Sequence, residues 1–214
     1  MAKAKTVKKG NKPAKQPATP KRDDITNIII TGVGGQGALS LAVMLAQAAM
    51  DSGHEVKMSE LHGLAQRFGH LECHVRFGKG VRTSIVPNGE ADLVIALEPL
   101  EALVMYKYMD KGRTNVIMDS RKIKPTKMDI ERTKYPEIGV IVRTLKAVAK
   151  SVEAIDASGE AKKVTGSMVY ANTYLLGKAM RKKLIPLDKG RIVATMRMLP
   201  SPDVNESVLK LALK

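Results

Sequence analysis

The sequence of 214 residues contains a single cysteine, Cys73, no tryptophan and only two phenylalanines. One thiol cannot form a disulfide within the chain, and it cannot ligate an iron–sulfur cluster, which needs several cysteine thiolates. The scarcity of aromatic rings removes most of the side chains on which single-stranded nucleic acids stack. Such low cysteine usage is typical of a reducing compartment, so we expect a cytoplasmic protein.

Long apolar segments are also missing. No window of the sequence approaches the 18 or more apolar residues of a membrane-spanning helix, and the basic N-terminal segment lacks the apolar stretch of a secretory signal. His70, Cys73 and His74 lie close together in the sequence, but Cys73 and His74 are consecutive on an expected strand and so point to opposite faces. We therefore expect neither a membrane segment nor a metal site.

Basic residues are in excess, and they are unevenly distributed. The formal net charge is +15, of which residues 1–24, with eight Lys/Arg and two Asp, carry +6. This segment has three prolines, few apolar residues and no periodicity, which predicts a disordered basic tail over 1–24. A nucleic-acid-associated protein that uses the tail is one hypothesis. The basic remainder of the chain better suits an acidic subunit or an anionic cofactor.

The most informative segment is IIITGVGGQG at 28–37, which runs directly into an apolar helix pattern. A strand, a glycine-rich turn and a helix form the phosphate-binding element of dinucleotide-binding folds, and the helix start offers unpaired N–H groups. Gly34 lets an anionic group approach the backbone, whereas a purely architectural turn is the alternative. The candidate cofactor-binding residues are Gly32, Gly34, Gly35, Gln36 and Gly37.

Apolar periodicity predicts alternating strands and helices after the tail. Strands are predicted over 25–31, 55–59, 71–77, 81–86, 92–97, 114–119, 138–142 and 152–155, and helices from 39 to about 50, over 98–109 and 166–183, from 186, and over 204–213. The turn at 78–80 predicts a hairpin that joins 71–77 to 81–86. The pattern indicates one α/β domain over 25–214, a three-layer α/β/α Rossmann-like fold whose sheet is mostly parallel and mixed.

Several motifs in order resemble one known family. They are GVGGQG at 32–37, SELHGLAQRFGHLECHVRFG at 59–78, GEADLVIALEPLEAL at 89–103 and, more loosely, IDAS at 155–158 and VNESVLKLA at 204–212. They resemble the gamma-type domain of the 2-oxoacid:ferredoxin oxidoreductases, and within that family the smaller, beta subunit of the indolepyruvate type. Phe68 and His70 depart from the family pattern, which has a glycine and a small residue at these positions.

The resemblance implies a subunit that is inactive alone. The complex is expected to decarboxylate an aryl 2-oxoacid such as indolepyruvate oxidatively with coenzyme A, giving an aryl-acetyl-CoA, carbon dioxide and reduced ferredoxin. It implies that an alpha subunit carries thiamine diphosphate with Mg and the [4Fe–4S] clusters. From the composition we expect neither a specific nucleic acid nor a membrane as a partner. A gamma subunit for another 2-oxoacid and a free-standing Rossmann-like nucleotide-binding module are the alternatives.

A polar segment follows the second predicted strand, at the edge where open α/β sheets bind ligands. Its side chains Glu60, His62, Gln66 and Arg67 are candidates for an interface or substrate loop, and Glu60, His62 and Arg67 are the catalytic candidates. Arg67 can pair with a carboxylate or diphosphate, and His62 can transfer protons near neutral pH. Structural or subunit hydrogen bonding is the alternative.

Overall fold

The computed structural model describes residues 24–63, 69–125, 128 and 130–214. Residues 1–23 of the predicted tail, and also Gln66, Arg67 and Phe68, lie outside the described residues. The strands are β1 (Ile25–Val33), β2 (Glu55–His62), β3 (His70–Gly78), β4 (Leu93–Ala96), β5 (Asn115–Asp119) and β6 (Ser151–Ile155). The helices are α1 (Ala38–Asp51), α2 (Pro99–Val104), α3 (Ile138–Lys146), α4 (Ala157–Thr165), α5 (Ala171–Arg181), α6 (Lys189–Thr195) and α7 (Pro202–Ala212). Short 3-10 turns cover Met105–Tyr108, Met168–Tyr170 and Met196–Met198.

The strands form one six-stranded sheet in the order β2-β3-β1-β4-β5-β6. Strands β1, β4, β5 and β6 run parallel, whereas β3 runs antiparallel to both β1 and β2. The predicted mixed, mostly parallel sheet is therefore confirmed. The chain runs from β1 through α1 to β2 on one side of β1, and then from β3 to β4 on its other side. This change of side opens a crevice beyond the carboxyl end of β1.

Helices cover both faces of the sheet, as the three-layer prediction requires. Side chains alternate along β1, so Ile28 and Ile30 face a core built with α1, α5, α6 and α7, while Ile29 faces a second core built with α2 and α3. No helix in the described part of the chain is long and apolar enough to cross a membrane.

The predicted hairpin between 71–77 and 81–86 is wrong. Strand β3 pairs with β2, and residues 81–86 instead lie over the face of β3 that carries its polar side chains. Their backbone groups bond to those side chains: Arg76 Nη1 donates to the carbonyl oxygens of Thr83 (3.1 Å) and Ile85 (3.2 Å), and the Val86 N–H donates to His74 Nδ1 (3.2 Å). The backbone of residues 81–86 therefore bonds to side chains of β3 instead of to a neighbouring strand.

Several other boundaries differ from the predictions. Strand β2 extends to His62, beyond the predicted 55–59, so Glu60 and His62 belong to the strand and not to a loop that follows it. Residues 138–142 begin α3 rather than form a strand, because Ile141 and Leu145, one helical turn apart, are the side chains that become buried. The helix predicted over 98–109 ends at Val104 and continues as a 3-10 turn. In the helix predicted over 166–183, Gly166 instead caps α4 with φ +76°, and α5 begins at Ala171.

Candidate functional site

The glycine loop at 34–37 connects the end of β1 to the start of α1. Gly35 and Gly37 adopt φ values of +96° and +81°, which favour glycine. A Cβ on Gly37 would lie 2.5 Å from Asn172 Nδ2, and that amide donates to the Gly37 carbonyl oxygen at 3.3 Å. Gly37 is therefore required both by its own backbone and by the close approach of α5.

Gln36 uses its side chain inside the fold. Its Oε1 accepts from the Val33 N–H at 2.8 Å, and its Nε2 donates to the Leu97 carbonyl oxygen at 2.7 Å. A Cβ on Gly32 would lie 2.7 Å from that Oε1 and 3.0 Å from Leu97 Cβ, so Gly32 makes room for this connection. Of the loop residues singled out in the sequence, Gly32 and Gln36 thus shape the loop, and only backbone groups are left to face a ligand.

The first turn of α1 supplies those backbone groups. The Leu41 N–H donates to the Gly37 carbonyl oxygen at 3.1 Å, so the N–H groups of Ala38, Leu39 and Ser40 precede the first intrahelical acceptor. The Gly34 N–H is already engaged, since it donates to the Gly69 carbonyl oxygen at 3.1 Å. Partial positive charge therefore collects at the start of the helix, where anions bind favourably.

A cavity of about 380 Å³ lies beside the loop and this helix start. Its lining brings together the glycine loop and the end of β2: it includes Gly34, Gly35, Gly37, Ser40, Glu60, His62, Gly69 and His70. Within it His62 Nε2 lies 3.0 Å from Glu60 Oε1, and the His62 side chain is 64% exposed. The structure thus places Glu60 and His62 beside the loop, while Gln66 and Arg67 lie outside the described residues.

Two smaller cavities meet the loop from its other side. One of about 190 Å³ is lined by Gly35, Gln36, Leu97, Arg121 and Ser158 among others. The other, of about 130 Å³, is more apolar and includes Gly37, Val169, Tyr170, Leu199 and Pro200. The loop therefore lies at the junction of one cavity that contains Glu60 and His62, one cavity bordered by a cation and one apolar slot, an arrangement that suits a long ligand with an anionic part.

A buried ionic cluster borders the 380 Å³ cavity. His70 Nδ1 contacts Glu101 Oε2, and its Nε2 lies 3.4 Å from Glu72 Oε2. Glu72 Oε1 accepts from the Tyr108 hydroxyl at 3.1 Å and lies 3.3 Å from His74 Nε2. The bonds to Glu101 and Glu72 raise the pKa of His70 to about 9. Although burial acts to raise the Glu72 pKa, His70, His74 and Tyr108 hold it well below its usual range.

Glu98, the first acidic residue of the EPLEAL segment, is not part of this cluster and has a structural role. It is buried and caps α2, with Oε2 accepting from the N–H groups of Leu100 (2.6 Å) and Glu101 (3.1 Å). Its Oε1 accepts from the Ile123 N–H (3.2 Å) and the Tyr135 hydroxyl. Burial raises the pKa of Glu98, although these four donors favour the carboxylate. Glu98 therefore fixes the position of α2 and, with it, of Glu101.

Sequence reasoning missed this cluster. None of Glu72, His74 and Arg76 was among the candidate site residues, yet all three are buried on one face of β3. The available signal was that a histidine and charged residues recur at every second position. Cys73, on the opposite face, is a buried core residue whose pKa is raised to about 12 by burial. The described residues contain no group of three or more side chains able to hold a metal ion.

Comparison with known sequences gives a consistent result. A family model described as pyruvate ferredoxin/flavodoxin oxidoreductase matches residues 27–212. An indolepyruvate oxidoreductase subunit IorB from Archaeoglobus fulgidus is 44% identical over 151 residues, which cover 71% of this chain and 74% of that protein. The protein of the same name from Thermococcus kodakarensis is 36% identical over 199 residues, covering 88% and 94%.

Solved structures share the fold. The gamma subunit of a keto/oxoacid ferredoxin oxidoreductase from Geobacter sulfurreducens has a TM-score of 0.62 at 18% identity, covering 88% of this chain and 96% of that one. Pyruvate oxidoreductase subunit PORC from Thermotoga maritima has a TM-score of 0.63 at 20% identity, covering 89% and 96%. A 2-oxoglutarate:ferredoxin oxidoreductase from Magnetococcus marinus, solved with 2-oxoglutarate, coenzyme A and succinyl-CoA, has a TM-score of 0.64 at 16% identity, covering 88% and 30%.

Proposed function

The chain belongs to the pyruvate ferredoxin/flavodoxin oxidoreductase family, and from this membership we propose that it is the non-cluster subunit of an indolepyruvate-type ferredoxin oxidoreductase. The complex converts an aryl 2-oxoacid and coenzyme A into an aryl-acetyl-CoA and carbon dioxide, and two electrons pass to ferredoxin. Relatives named as indolepyruvate oxidoreductase subunits, at 35–44% identity, support this substrate class over other 2-oxoacids. A cytoplasmic complex fits the single thiol.

The redox chemistry belongs to a partner in this proposal. Cys73 is buried in the core, so this thiol does not fit an iron–sulfur cluster. An alpha subunit would therefore hold the [4Fe–4S] clusters, together with thiamine diphosphate and Mg, and would exchange electrons with ferredoxin. This chain would be inactive alone and would complete the site at the subunit interface.

The glycine loop is the proposed contact for coenzyme A. This proposal rests on one observation: the N–H groups at the start of α1 and three cavities all lie at the same loop. The residues present fit an anionic group, because Gly35 is exposed with no atom within 4 Å of a Cβ position, and the N–H groups of Ala38 to Ser40 lack intrahelical acceptors. Backbone groups would hold a phosphate, and the apolar slot would receive an uncharged part of the coenzyme.

Glu60 and His62 are proposed to orient the ligand or the partner at the open side of the cavity. Their 3.0 Å contact balances the negative charge of Glu60 when His62 is protonated, which reduces repulsion of a phosphate nearby. Gln66 and Arg67 stay candidates for the same loop. Arg67 is proposed to pair with the carboxylate of the 2-oxoacid or with a diphosphate.

The test uses the chain co-purified anaerobically with its partner and measures 2-oxoacid-dependent reduction of a viologen dye. Indolepyruvate should be used with the highest kcat/KM among aryl and aliphatic 2-oxoacids, and the chain alone should show no turnover. Preference for pyruvate or 2-oxoglutarate would move the assignment to another gamma subunit. A chain that binds no partner but binds a nucleotide would support the free-standing module.

A matched pair of variants tests the coenzyme site. Gly35→Ala places a methyl group where no atom lies within 4 Å, next to the proposed phosphate position, and should raise the KM for coenzyme A about tenfold. Gly53→Ala is the control, because Gly53 also has a positive φ and open surroundings but lies beyond the other end of α1. Equal KM values in the two variants would contradict a coenzyme contact at the loop.

A further inference from the structure

One wall of the 380 Å³ cavity beside the glycine loop is held by a short series of backbone contacts that ends at His70. The Gly34 N–H donates to the Gly69 carbonyl oxygen at 3.1 Å, and the Gly63 N–H donates to the His70 carbonyl oxygen at 2.9 Å. His70 is thus the residue at which the glycine loop, the end of β2 and the start of β3 are joined. Whatever fixes the His70 side chain also fixes the position of Gly69 relative to Gly34.

The His70 side chain is fixed by carboxylates from two different elements. Glu101 comes from α2 and Glu72 from β3, with side chains only 12% and 6% exposed, and each contacts one ring nitrogen. Because both nitrogens face carboxylates, the ring has to carry a hydrogen on each to bond both. A ring with one hydrogen would leave one buried carboxylate without a donor from His70.

Other charged and titratable groups complete the surroundings. His74 accepts the Val86 N–H at Nδ1, which leaves its ring hydrogen on Nε2 for Glu72. From the 3-10 turn after α2, the Tyr108 hydroxyl donates to Glu72, and Lys107 Nζ lies 4.7 Å from the centre of the Tyr108 ring. Glu60 and His62 of β2 line the same cavity. Glu72 therefore keeps two donors besides His70.

We propose that His70 is a positioning residue of this cavity, whose imidazolium connects Glu101 of α2 to Glu72 of β3 and thereby holds Gly69 against Gly34. Loss of the His70 proton at alkaline pH then changes the shape of the cavity. When the proton leaves, the neutral ring can donate to only one of the two carboxylates, and the ionic attraction between His70 and Glu101 is lost. The contact between α2 and β3 then loosens, and the wall formed by Gly69 and the glycine loop shifts. His70 does not itself offer an N–H to the ligand, since both ring nitrogens are engaged.

Two variants and one control separate this role from a general structural one. His70→Gln removes the titrating charge, Glu101→Gln removes one carboxylate, and His54→Gln changes an exposed histidine outside the cavity. The amide of Gly34 in the full chain is the first readout, measured by hydrogen exchange at pH 7. Its exchange should be at least tenfold faster in His70→Gln than in the wild type or His54→Gln. Unchanged exchange in His70→Gln would overturn the proposal.

The second readout is ligand binding, and it rests on the proposed function for the choice of probe. Desulfo-coenzyme A, which has no thiol to titrate, is used as an inhibitor of the purified complex between pH 7 and 10. Its inhibition constant should rise about tenfold in the wild type with a midpoint near pH 9. It should be high and independent of pH in His70→Gln, whereas the midpoint should fall to lower pH in Glu101→Gln.

The two readouts fail in different ways. If desulfo-coenzyme A does not bind even the wild-type complex, the proposed function fails, and the exchange of the Gly34 amide alone decides the role of His70. If the probe binds with the same pH dependence in the wild type and in His70→Gln, the coupling to His70 is refuted. If His70→Gln does not assemble, Glu101→Gln supplies the comparison, and a midpoint unchanged from the wild type would refute it.

Discussion

Gln36 donates a hydrogen bond from its side-chain amide to the carbonyl oxygen of Leu97, and the two atoms lie 2.7 Å apart. The same amide accepts the N–H of Val33 through its oxygen. One side chain thus joins the ends of β1 and β4 underneath the glycine loop. The glutamine of the GVGGQG motif is explained by this geometry before any ligand is considered.

Replacing Gln36 should therefore lower stability. Gln36→Ala leaves the Val33 N–H and the Leu97 carbonyl without their partner, and the free energy of unfolding should fall by about 1–3 kcal/mol. Gln47→Ala is the control, because Gln47 bonds only to Asp51 at an exposed position on α1. Urea unfolding of the full chain measures both, and equal losses would show that the Gln36 contacts are unimportant.

Gly37 and Gly53 offer a second comparison, because both have φ near +80° but differ in surroundings. Gly53→Ala should cost about 1 kcal/mol from backbone strain alone. Gly37→Ala adds a Cβ 2.5 Å from Asn172 Nδ2 and should cost about 1–3 kcal/mol more. The double variant Gly37→Ala with Asn172→Ala should recover part of that difference in chemical denaturation. No recovery would mean that the clash with α5 is not the cause.

The parts of the fold that sequence predicted are those where local pattern and tertiary environment agree. The glycine loop defined the end of β1 and the start of α1, since its glycines are required by backbone geometry. The short apolar runs of β4 and β5 are buried on both faces and have no alternative location. In α5 and α7, apolar residues recur every three to four positions, and these are the residues that pack against the core.

The parts that failed depend on contacts distant in sequence. Residues 81–86 have strand-forming side chains, yet their backbone bonds to Arg76 and His74, which no local pattern reveals. Residues 138–142 are rich in β-branched side chains, but burial of Ile141 and Leu145 against the sheet favours a helix. In the candidate site, the topology of the sheet was enough to predict that Glu60 lies near the glycine loop. The pairing of His70 with Glu101 could not be predicted, because the two residues are 31 positions apart.

Arg76 should be the residue that keeps the segment 81–86 in place. Its guanidinium contacts Asn27 Oδ1 at 2.7 Å and the backbone of that segment, which a lysine ammonium cannot do simultaneously. Arg76→Lys should lower the free energy of unfolding by about 2 kcal/mol and accelerate hydrogen exchange at Val86. Arg143→Lys, at an exposed position on α3, is the control. Unchanged exchange at Val86 in Arg76→Lys would contradict this role.

The combined contribution of His70 and Glu72 to stability should be greatest between about pH 4.5 and 6.5. The pKa of His70 rises from 6.5 to about 9 on folding, so its contribution is complete below pH 6.5 and is lost as the pH rises to 9, a fall of up to about 3 kcal/mol. The pKa of Glu72 is lowered from 4.5, so its contribution is complete above pH 4.5 and is lost as the pH falls further. Thermal unfolding measured from below pH 4.5 to above pH 9 detects both the acid and the alkaline loss of stability.

A variant and its control identify the group responsible for the loss of stability at alkaline pH. His70→Gln should flatten the fall in stability between pH 6.5 and 9, and His54→Gln should leave it in place. An alkaline fall that survives in His70→Gln would assign it to another group.

The central position of β1 has a consequence for how quickly the protein acquires its structure. Ile28 of β1 pairs with Leu93 of β4, and α1 packs against α6, which begins at Lys189. Such pairings close long loops before they gain any contact energy, and high contact order slows folding. The apolar face of α1 therefore stays uncovered during early folding, when it can be captured by chaperones or drive aggregation. Production at low temperature with chaperone support should accordingly raise the yield of native chain.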